Sequence, residues 1–378
     1  MHRLALITIL TVSLLKGAAA QHRDSLIFGG QASAWINFNP DQKLSLNSGV
    51  RYIPQLNYEL SSGNRKFDVE FSLNLNANTG IRPFDSLTGN AAGKPYRAWL
   101  RYSGRQFEVR LGLQKINFGS AQMLRPLMWF DQVDPRDPLQ LTDGVWGLLG
   151  RYYFLNNANI WLWVLYPSDK PKTWEFTGTN AKIPEAGGRL QLPVFSGEIG
   201  LSYHHRITDT RENPAGFRQV ARMPENRFGI DGRWDAGAGL WFEATHTGLH
   251  NFGELTQQDL LTLGMDYTFG IGNGLNIIAE NLIAATGEKA FRYKNSLAFT
   301  GVTLSYPLSI TGNISTIVYF DWENRNAYSF VNYKKLVGAF QFYLMAYYNP
   351  ETYLIPAQAS ENNYFAGKGI QIMMVYTH

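Results

Sequence analysis

The sequence predicts an all-β fold: a transmembrane antiparallel up-and-down β-barrel of about 18 strands, with 16 as the alternative. Almost every segment alternates between apolar and polar residues, as strands with one apolar face do. No run after residue 20 approaches the roughly 18 apolar residues of a membrane-spanning helix. Charged residues are 17% of the chain, below the roughly 25% of soluble domains, while aromatic residues reach 14%. A closed barrel accommodates such strands because closure leaves no strand edge unpaired.

The N-terminus predicts a signal peptide at 1–20 and a single barrel domain at 21–378. A short basic start precedes an apolar run at 4–15, and Gly-Ala-Ala-Ala at 17–20 suits cleavage near Ala20. The run is short for a retained membrane anchor, which is the less favoured alternative. The chain contains no cysteine, which excludes disulfides and thiolate metal sites. These features predict export to the bacterial outer membrane.

Alternation defines eighteen strands in order. The clearest is 66–76, where Phe67, Val69 and Phe71 share one face and Asp68 and Glu70 share the other. The segment at 328–334 has the weakest pattern, and its loss together with one other strand would leave sixteen. The predicted strands are 25–39, 43–59, 66–76, 95–103, 106–114, 144–154, 158–167, 187–193, 197–206, 226–234, 239–247, 258–269, 274–284, 295–306, 313–322, 328–334, 336–348 and 368–378.

The connections support the same topology because short and long ones alternate. Outer-membrane barrels have short periplasmic turns and longer outer loops. Turn-like connections at 61–64, 103–105, 156–157, 193–197, 235–238, 270–273 and 307–312 alternate with longer ones at 77–94, 115–143, 168–186, 207–225, 248–257, 285–294 and 349–367. The last strand resembles the C-terminal strand that such barrels present to the insertion machinery, with His378 in the position usually held by an aromatic residue.

The longest connection, 115–143, is predicted to be a constriction or lid loop at or inside the barrel mouth. Irregular connections of this length usually have a function. Trp129 and Phe130 supply flat faces that stack on sugar rings or pack against a wall. The alternative is a loop folded outside over the rim. The aspartates among its charged residues lack the spacing and the glycine of an EF-hand, so no metal is assigned. The charged residues are Arg125, Asp131, Asp134, Arg136, Asp137 and Asp143.

Placing the apolar faces outward puts charged side chains in the lumen. From the fourth to the tenth strand they are mainly basic: Arg97, Arg101, Arg110, Arg151, Arg189, Arg227 and Arg233, with Glu108, Glu198 and Asp231 among them. From the eleventh to the fifteenth they are acidic: Glu243, Asp266, Glu280 and Asp321. This division predicts a transverse field across a pore. The alternative is that these charges pair with their neighbours and fill the lumen.

Two adjacent segments resemble a known pattern. Leu-Gly-Leu-Gln-Lys-Ile-Asn-Phe-Gly at 111–119, followed by Asp-Gln-Val-Asp-Pro-Arg-Asp-Pro at 131–138, is similar to porin-like outer-membrane barrels of the alginate-export and related uncharacterised families. There a Gly-Arg-Gln strand precedes an Asn/Asp-Pro-Arg-Asp turn, and Leu113 stands where those families commonly have Arg. The resemblance implies an outer-membrane channel and names no cargo.

The expected function is an outer-membrane porin for passive or weakly selective passage of small polar or charged solutes. The predicted pore-lining or constriction residues are Arg97, Arg101, Glu108, Arg110, Arg151, Asp131, Asp134, Arg136 and Asp137. The alternative is a non-conducting barrel in surface-polysaccharide assembly or adhesion, with Trp99, Trp161, Trp163, Trp241, Tyr153 and Tyr343 as filling or as girdle residues. A hydrolase is less favoured, because His204, His205, His246 and His250 form no clear triad with serine and an acid.

No catalytic residue, cofactor or metal is predicted. The expected partners are outer-membrane lipid and lipopolysaccharide, the barrel-insertion machinery, and small polar or anionic solutes that include oligosaccharides. A homo-oligomer is compatible with the sequence. Without the signal peptide, which carries Arg3 and Lys16, the 34 basic residues become 32 against 30 acidic ones, a balance of +2. Nothing in this charge indicates nucleic acid.

Overall fold

A computed structural model describes residues 23–82, 86–168, 171–211, 219–250, 252–290, 292–351 and 365–378. The predicted signal peptide and its cleavage site lie outside the described residues. No helix in the described part of the chain is long and apolar enough to span a membrane.

The described residues form one closed antiparallel sheet, which confirms the predicted fold class with eighteen strands. Each strand pairs with the next along the chain, and β1 pairs with β18 to close the barrel. The strands are β1 (Arg23–Phe38), β2 (Leu46–Ser62), β3 (Arg65–Arg82), β4 (Ser86–Ser103), β5 (Phe107–Gln114), β6 (Val145–Tyr153), β7 (Asn159–Leu165), β8 (Glu185–Val194), β9 (Gly197–Thr208), β10 (Met223–Asp235), β11 (Gly239–Leu249), β12 (Gln257–Phe269), β13 (Leu275–Gly287), β14 (Asn295–Ser309), β15 (Gly312–Asp321), β16 (Asn326–Val337), β17 (Phe340–Tyr348) and β18 (Lys368–Thr377).

Two predicted segments, 328–334 and 77–94, differ in extent from the strands of the structure. The weakest predicted strand, at 328–334, is a full strand, β16, paired on both sides. The predicted connection at 77–94 is mostly strand, because β3 and β4 stay paired up to Arg82 and Ser86. The backbone hydrogen bonds of this hairpin continue past the apolar band. The side chains of this part of β4 are mainly small or polar and exposed, so apolar alternation ends there and the sequence pattern misses the extension.

The two ends of the barrel differ in their connections, as predicted. We call the end with the tight turns the turn end, and β1 begins and β18 finishes there. Gly63 and Gly237 have φ of 57° and 86° in two of its turns, a conformation that glycine adopts without steric cost. We call the opposite end, which carries the long connections, the loop end.

The apolar faces point outward, as the alternation predicted. Leu162 on β7 is 64% exposed, whereas Glu243 on β11 is fully buried on the inner side. Side chains from the inner face and from long loops together form apolar clusters within the barrel. The interior is therefore partly filled.

One section of the wall is short. β5, β6 and β7 have 8, 9 and 7 residues, compared with 18 in β3. The chain leaves β5 at Gln114 and returns in β6 at Val145, so the connection between them starts well below the height that β3 and β4 reach. We call residues 115–144 the inner loop.

Candidate functional site

The inner loop lies inside the barrel and is bound to the wall opposite its own strands. Glu243 on β11 accepts hydrogen bonds from the backbone N–H of Ala121 (2.7 Å) and Leu127 (3.0 Å). Glu280 on β13 accepts three more, from residues 122, 123 and 124, at 2.6, 2.9 and 2.7 Å. These contacts are incompatible with the alternative of a loop folded over the outside of the rim.

The two anchoring carboxylates are well suited to this task. Glu243 is fully buried and Glu280 is 1% exposed, so each needs several donors to offset its desolvation. A turn of chain with successive N–H groups supplies them, and hydrogen bonds to a charged acceptor are the stronger kind. The indole of Trp241 donates a further bond to Glu280 at 3.0 Å, and Thr262 donates to the carbonyl of Leu124 at 2.7 Å.

The aromatic residues of the inner loop pack against the wall. Phe130 contacts Trp163 and His204 at ring-centroid distances of 5.4 and 5.1 Å, and Phe118 stacks on Trp163 at 5.7 Å. Trp129 and Phe130 are 3% and 4% exposed. They therefore offer no free face to a sugar ring, and of the two expected roles only packing remains.

The predicted charged residues of the inner loop mainly stabilise the loop itself. Asp131 pairs with Arg125 at 3.3 Å, and burial raises the pKa of Asp131. Asp134 binds the guanidinium of Arg136 at 2.6 Å. Asp137 accepts from the N–H groups of Leu139 and Leu141, and burial raises its pKa as well. These residues shape the loop and, apart from Asp137, line no cavity described below.

The five predicted residues on the wall come together on the inner face of β4, β5 and β6. We call Arg97, Arg101, Arg110 and Arg151 the arginine cluster. Glu108 lies among them, with ion-pair distances of 3.0 Å to Arg110, 3.5 Å to Arg101 and 3.8 Å to Arg151.

Two more carboxylates complete this group. Asp68 on β3 binds Arg101 at 2.9 Å, and Glu70, two residues further along β3, lies on the same face of the strand. Four guanidinium groups then face three carboxylates, Asp68, Glu70 and Glu108, which leaves a formal charge of +1. Part of each of Arg101, Arg110 and Arg151 is accessible, with side-chain exposures of 25%, 15% and 17%.

Inward-facing tryptophans hold the arginine cluster in place. Trp99 lies under Arg110 at 4.7 Å from its ring centroid, and Trp161 lies under Arg151 at 3.7 Å. Such stacking orients a guanidinium while leaving its edge available for hydrogen bonds. Trp99 and Trp161 are thus inside the barrel and are not girdle residues.

A polar cavity of about 230 Å³ lies where the inner loop returns towards β2, β3 and β4. Arg51 and Lys94 line it from the wall, and Asp137 and Asp143 line it from the loop. Lys94 and Asp143 pair at 2.6 Å. Arg97 donates to the carbonyl of Thr142 at 3.0 Å, so the arginine cluster adjoins this cavity.

The expected acidic wall does not face the open lumen. Glu243 and Glu280 are occupied by the inner loop, Asp266 pairs with Arg233 at 2.8 Å, and Asp321 is 1% exposed and caps the turn after β15. The simple transverse field is therefore wrong, because a buried carboxylate takes up nearby donors.

A buried ionic network occupies β8 to β10. Arg206 binds Glu225 at 2.6 Å and Glu175 at 2.9 Å, and Arg227 binds Glu175 at 2.9 Å. Glu175 comes from the connection between β7 and β8, which therefore also folds inward. Arg189, on the same wall, pairs with Asp231 at 2.6 Å. The basic residues of this wall are thus neutralised, unlike the arginine cluster.

The chain is similar in fold to solved outer-membrane barrels. Acinetobacter baumannii OccAB4 aligns with a TM-score of 0.56 at 10% identity, over 95% of this chain and 99% of that one. Pseudomonas aeruginosa OccK5 (OpdH) aligns with a TM-score of 0.54 at 9% identity, over 93% and 98%. A mutant of the Rh. blastica porin aligns with a TM-score of 0.47 at 9% identity, over 94% and 100%.

No protein family matches the chain, and no curated protein matches it in sequence. At these identities the structural likeness shows a shared barrel fold. The resemblance to the alginate-export families stays an expectation.

Sequence reasoning missed the anchoring role of Glu243 and Glu280 and the contribution of Arg51 and Lys94. Alternation places Glu243, Glu280 and Arg51 on the inner face, but it carries no information about which loop will meet them. Lys94 lies in a predicted connection, beyond a register shift in the pairing of β3 with β4, so alternation did not place its side chain. Asp68 and Glu70 could have been added to the site, since they share the polar face of the clearest predicted strand.

Proposed function

We propose that this protein is an outer-membrane diffusion channel for small polar or charged solutes, with a preference for anions. The observation that carries the proposal is the arginine cluster, which keeps an uncompensated positive charge on the inner wall. Eighteen strands enclose enough space for an aqueous channel, unlike eight, whose interior is filled by side chains.

The proposed path follows the wall of β2 to β6. Glu243 and Glu280 hold the first part of the inner loop against β11 and β13, and the later part reaches β4, where Arg97 binds the carbonyl of Thr142. The polar cavity lies between this later part and Arg51 and Lys94 on the wall, and it adjoins the arginine cluster. A solute entering from the loop end would meet this cavity first and the arginine cluster next.

The arginine cluster has the donors that an anion requires. Among the described residues, the Nε groups of Arg110 and Arg151 are buried without a hydrogen-bond partner, while other atoms of both side chains are accessible. With four cations and three carboxylates, a passing carboxylate or phosphate can be bound without breaking every existing ion pair. Arg suits planar anions in particular because its guanidinium presents paired donors.

The fold supports the proposed location and class. An outward apolar surface on a closed barrel is the arrangement that a bilayer requires, and tight turns at one end with long loops at the other match outer-membrane barrels. Under this proposal the turn end faces the periplasm. The similarity to OccAB4 and OccK5 agrees with a channel, and no enzymatic activity is proposed.

One observation favours the alternative of a non-conducting barrel in polysaccharide assembly or adhesion. Apolar clusters join the inner loop to the wall, and buried side chains such as Leu127, Trp163 and Tyr319 occupy the interior. A lumen filled in this way over its whole cross-section would not conduct. Solute flux therefore separates the two functions.

A liposome-swelling assay tests the proposal. Proteoliposomes with the refolded barrel should swell in isotonic sorbitol and faster in isotonic gluconate, an anion of similar size. Arg101→Gln and Arg110→Gln should reduce the advantage of gluconate, by about threefold for each unit charge removed some 6 Å from the path. Arg105→Gln, in the exposed turn after β4, is the matched control. Equal rates for empty and loaded liposomes would overturn the proposal.

A further inference from the structure

A separate cavity of about 680 Å³ lies at the loop end, between β1–β4 and residues 366–367 before β18. Its volume is within the roughly 300–1,000 Å³ of small-molecule sites. We call it the vestibule cavity, and the arginine cluster takes no part in it. Its characteristic lining residues are Trp35, Asn47, Asn78, Thr88 and Asn90.

The lining is polar but carries almost no net charge. Amide and hydroxyl groups dominate the strand positions, where Asn78 on β3 pairs directly with Asn90 on β4. Asp41, at the edge, is engaged by Lys368, whose backbone N–H donates at 3.0 Å and whose ammonium lies at 3.7 Å. Lys43 and Glu351 also reach the rim and have opposite signs.

Two glycines allow the side chains of the vestibule cavity to lie where they do. A Cβ at Gly49 would lie 2.2 Å from the indole of Trp35 and 2.5 Å from the amide oxygen of Asn78. A Cβ at Gly80 would lie 3.0 Å from the amide oxygen of Asn47. Larger residues would therefore displace the aromatic ring and the two amides, and the cavity is a formed feature of the wall.

These groups have the chemistry of a carbohydrate site. An asparagine amide both donates and accepts, which matches the hydroxyls of a sugar, since each hydroxyl also does both. Asn47 donates to the carbonyl of Leu44 at 2.9 Å, which fixes its amide and leaves the amide oxygen to accept. Trp35 is half-buried, with the Arg51 guanidinium 5.4 Å from its ring centroid, and the part of the indole that lines the cavity supplies an apolar contact for the C–H face of a pyranose ring. Lys43 and Glu351 at the rim have opposite signs, so the lining favours neither an anion nor a cation.

We infer that the vestibule cavity binds a neutral saccharide at the loop end of the barrel. This site recognises hydroxyl groups, whereas the arginine cluster further inside selects by charge. Binding at the vestibule cavity does not require the barrel to conduct, so the inference can fail or succeed independently of the proposed channel.

Calorimetric titration of the detergent-refolded barrel with maltotriose and with chitobiose tests this inference. At least one of the two should bind saturably, and raising the salt concentration should not weaken binding because no charge is involved. Asn78→Ala and Asn90→Ala should each weaken binding by about two- to tenfold, the effect of one lost neutral hydrogen bond. Trp35→Ala should weaken it by a similar factor or more.

Two controls keep the test decisive. Asn57→Ala removes an amide of the same kind on β2 towards the turn end and should leave binding unchanged. Trp35→Phe keeps an aromatic face and should retain part of the affinity, which separates loss of the ring from loss of the fold. Heat-modifiable migration on a gel shows that each variant is folded. The inference is overturned if neither saccharide binds up to its solubility limit, or if the three cavity variants bind as the parent does.

Discussion

At the scale of single residues, Glu243 and Glu280 determine where the inner loop lies. Together they accept five backbone N–H groups of residues 121–127. The two carboxylates thereby act as a fixed tether between a distant connection and the strands β11 and β13.

Glu280→Gln should weaken this tether. The amide replaces one acceptor oxygen with an N–H₂ group, which faces backbone donors, so buried N–H groups lose their partner. We expect a cost of roughly 2–5 kcal/mol in the free energy of unfolding and a less stable, noisier conducting state. Thermal melting in detergent and single-channel recordings measure both.

Glu198→Gln is the matched control, because Glu198 is exposed on β9 and binds only the amide of Gln191 among the described residues. Unchanged melting and unchanged current noise in Glu280→Gln would show that the tether does not hold the loop.

Asp137→Asn should change the pH dependence of stability. Burial raises the pKa of Asp137, so its ionised form is disfavoured in the folded barrel. The ionised Asp137 therefore lowers the free energy of unfolding at pH 8. This destabilisation disappears as the pH falls through the raised pKa to the ordinary value of about 4, because the carboxyl then becomes protonated in the folded barrel. The Asn variant loses one acceptor for the N–H groups of Leu139 and Leu141 at every pH, whereas the parent carries the cost of its charge only at high pH. The melting temperature of the Asn variant relative to the parent should therefore be higher at pH 8 than at pH 5.

Asp143→Asn serves as the control, since the side chain of Asp143 is 63% exposed. A constant difference in melting temperature between Asp137→Asn and the parent from pH 5 to pH 8 would contradict the account of Asp137.

Residue roles were only partly predictable from sequence. Alternation put Arg97, Arg101, Glu108, Arg110 and Arg151 on the inner face, and the structure brings them together there. The segment that Glu243 and Glu280 bind was not predictable. A buried carboxylate binds the nearest donors, and the backbone N–H groups that it meets here do not depend on residue type. The contacts of Trp129 and Phe130 with Trp163 and His204 were likewise not predictable, because these residues are far apart in the sequence.

At the scale of elements, the inner loop contains two residues with positive φ, Gly119 and Gln140, and Gly119 is the one beside its tether. Gly119 has φ of 100°, and a Cβ there would lie 2.2 Å from a carboxylate oxygen of Glu243. Gly119→Ala should cost roughly 1–3 kcal/mol and displace the loop from Glu243. Limited proteolysis of the folded barrel should then cut within 115–144 faster than in the parent.

Gly150→Ala is the comparison variant, because a Cβ at Gly150 meets nothing within 4 Å. Equal cleavage rates for the parent and Gly119→Ala would contradict the account of a tightly seated loop.

The strands were predictable because one apolar and one polar face impose a period of two on their side chains. β16 was predicted despite its weak alternation, and an even strand number agrees with it. The outer halves of β3 and β4 were not found, because their side chains are mainly small or polar and the apolar alternation that predicts a strand ends there.

At the scale of the whole molecule, the interior is asymmetric. The buried ionic network fills the side of β8–β10, the arginine cluster lines the side of β4–β6, and the inner loop extends from its tether on β11 and β13 to the polar cavity beside β2 and β4. The closed topology follows from the sequence, because strand number and connection length are both encoded locally. The filling of the lumen does not, because it depends on contacts between residues more than a hundred positions apart.

The central claim is that solutes pass along the arginine cluster, and single-channel recording tests it most directly. The refolded mature chain in a planar bilayer should give stable conductance steps, and reversal potentials under a salt gradient should show anion preference. Arg110→Gln should lower the anion-to-cation permeability ratio by about threefold. Absence of current from a demonstrably folded barrel, or a cation preference that Arg110→Gln leaves unchanged, would contradict the account.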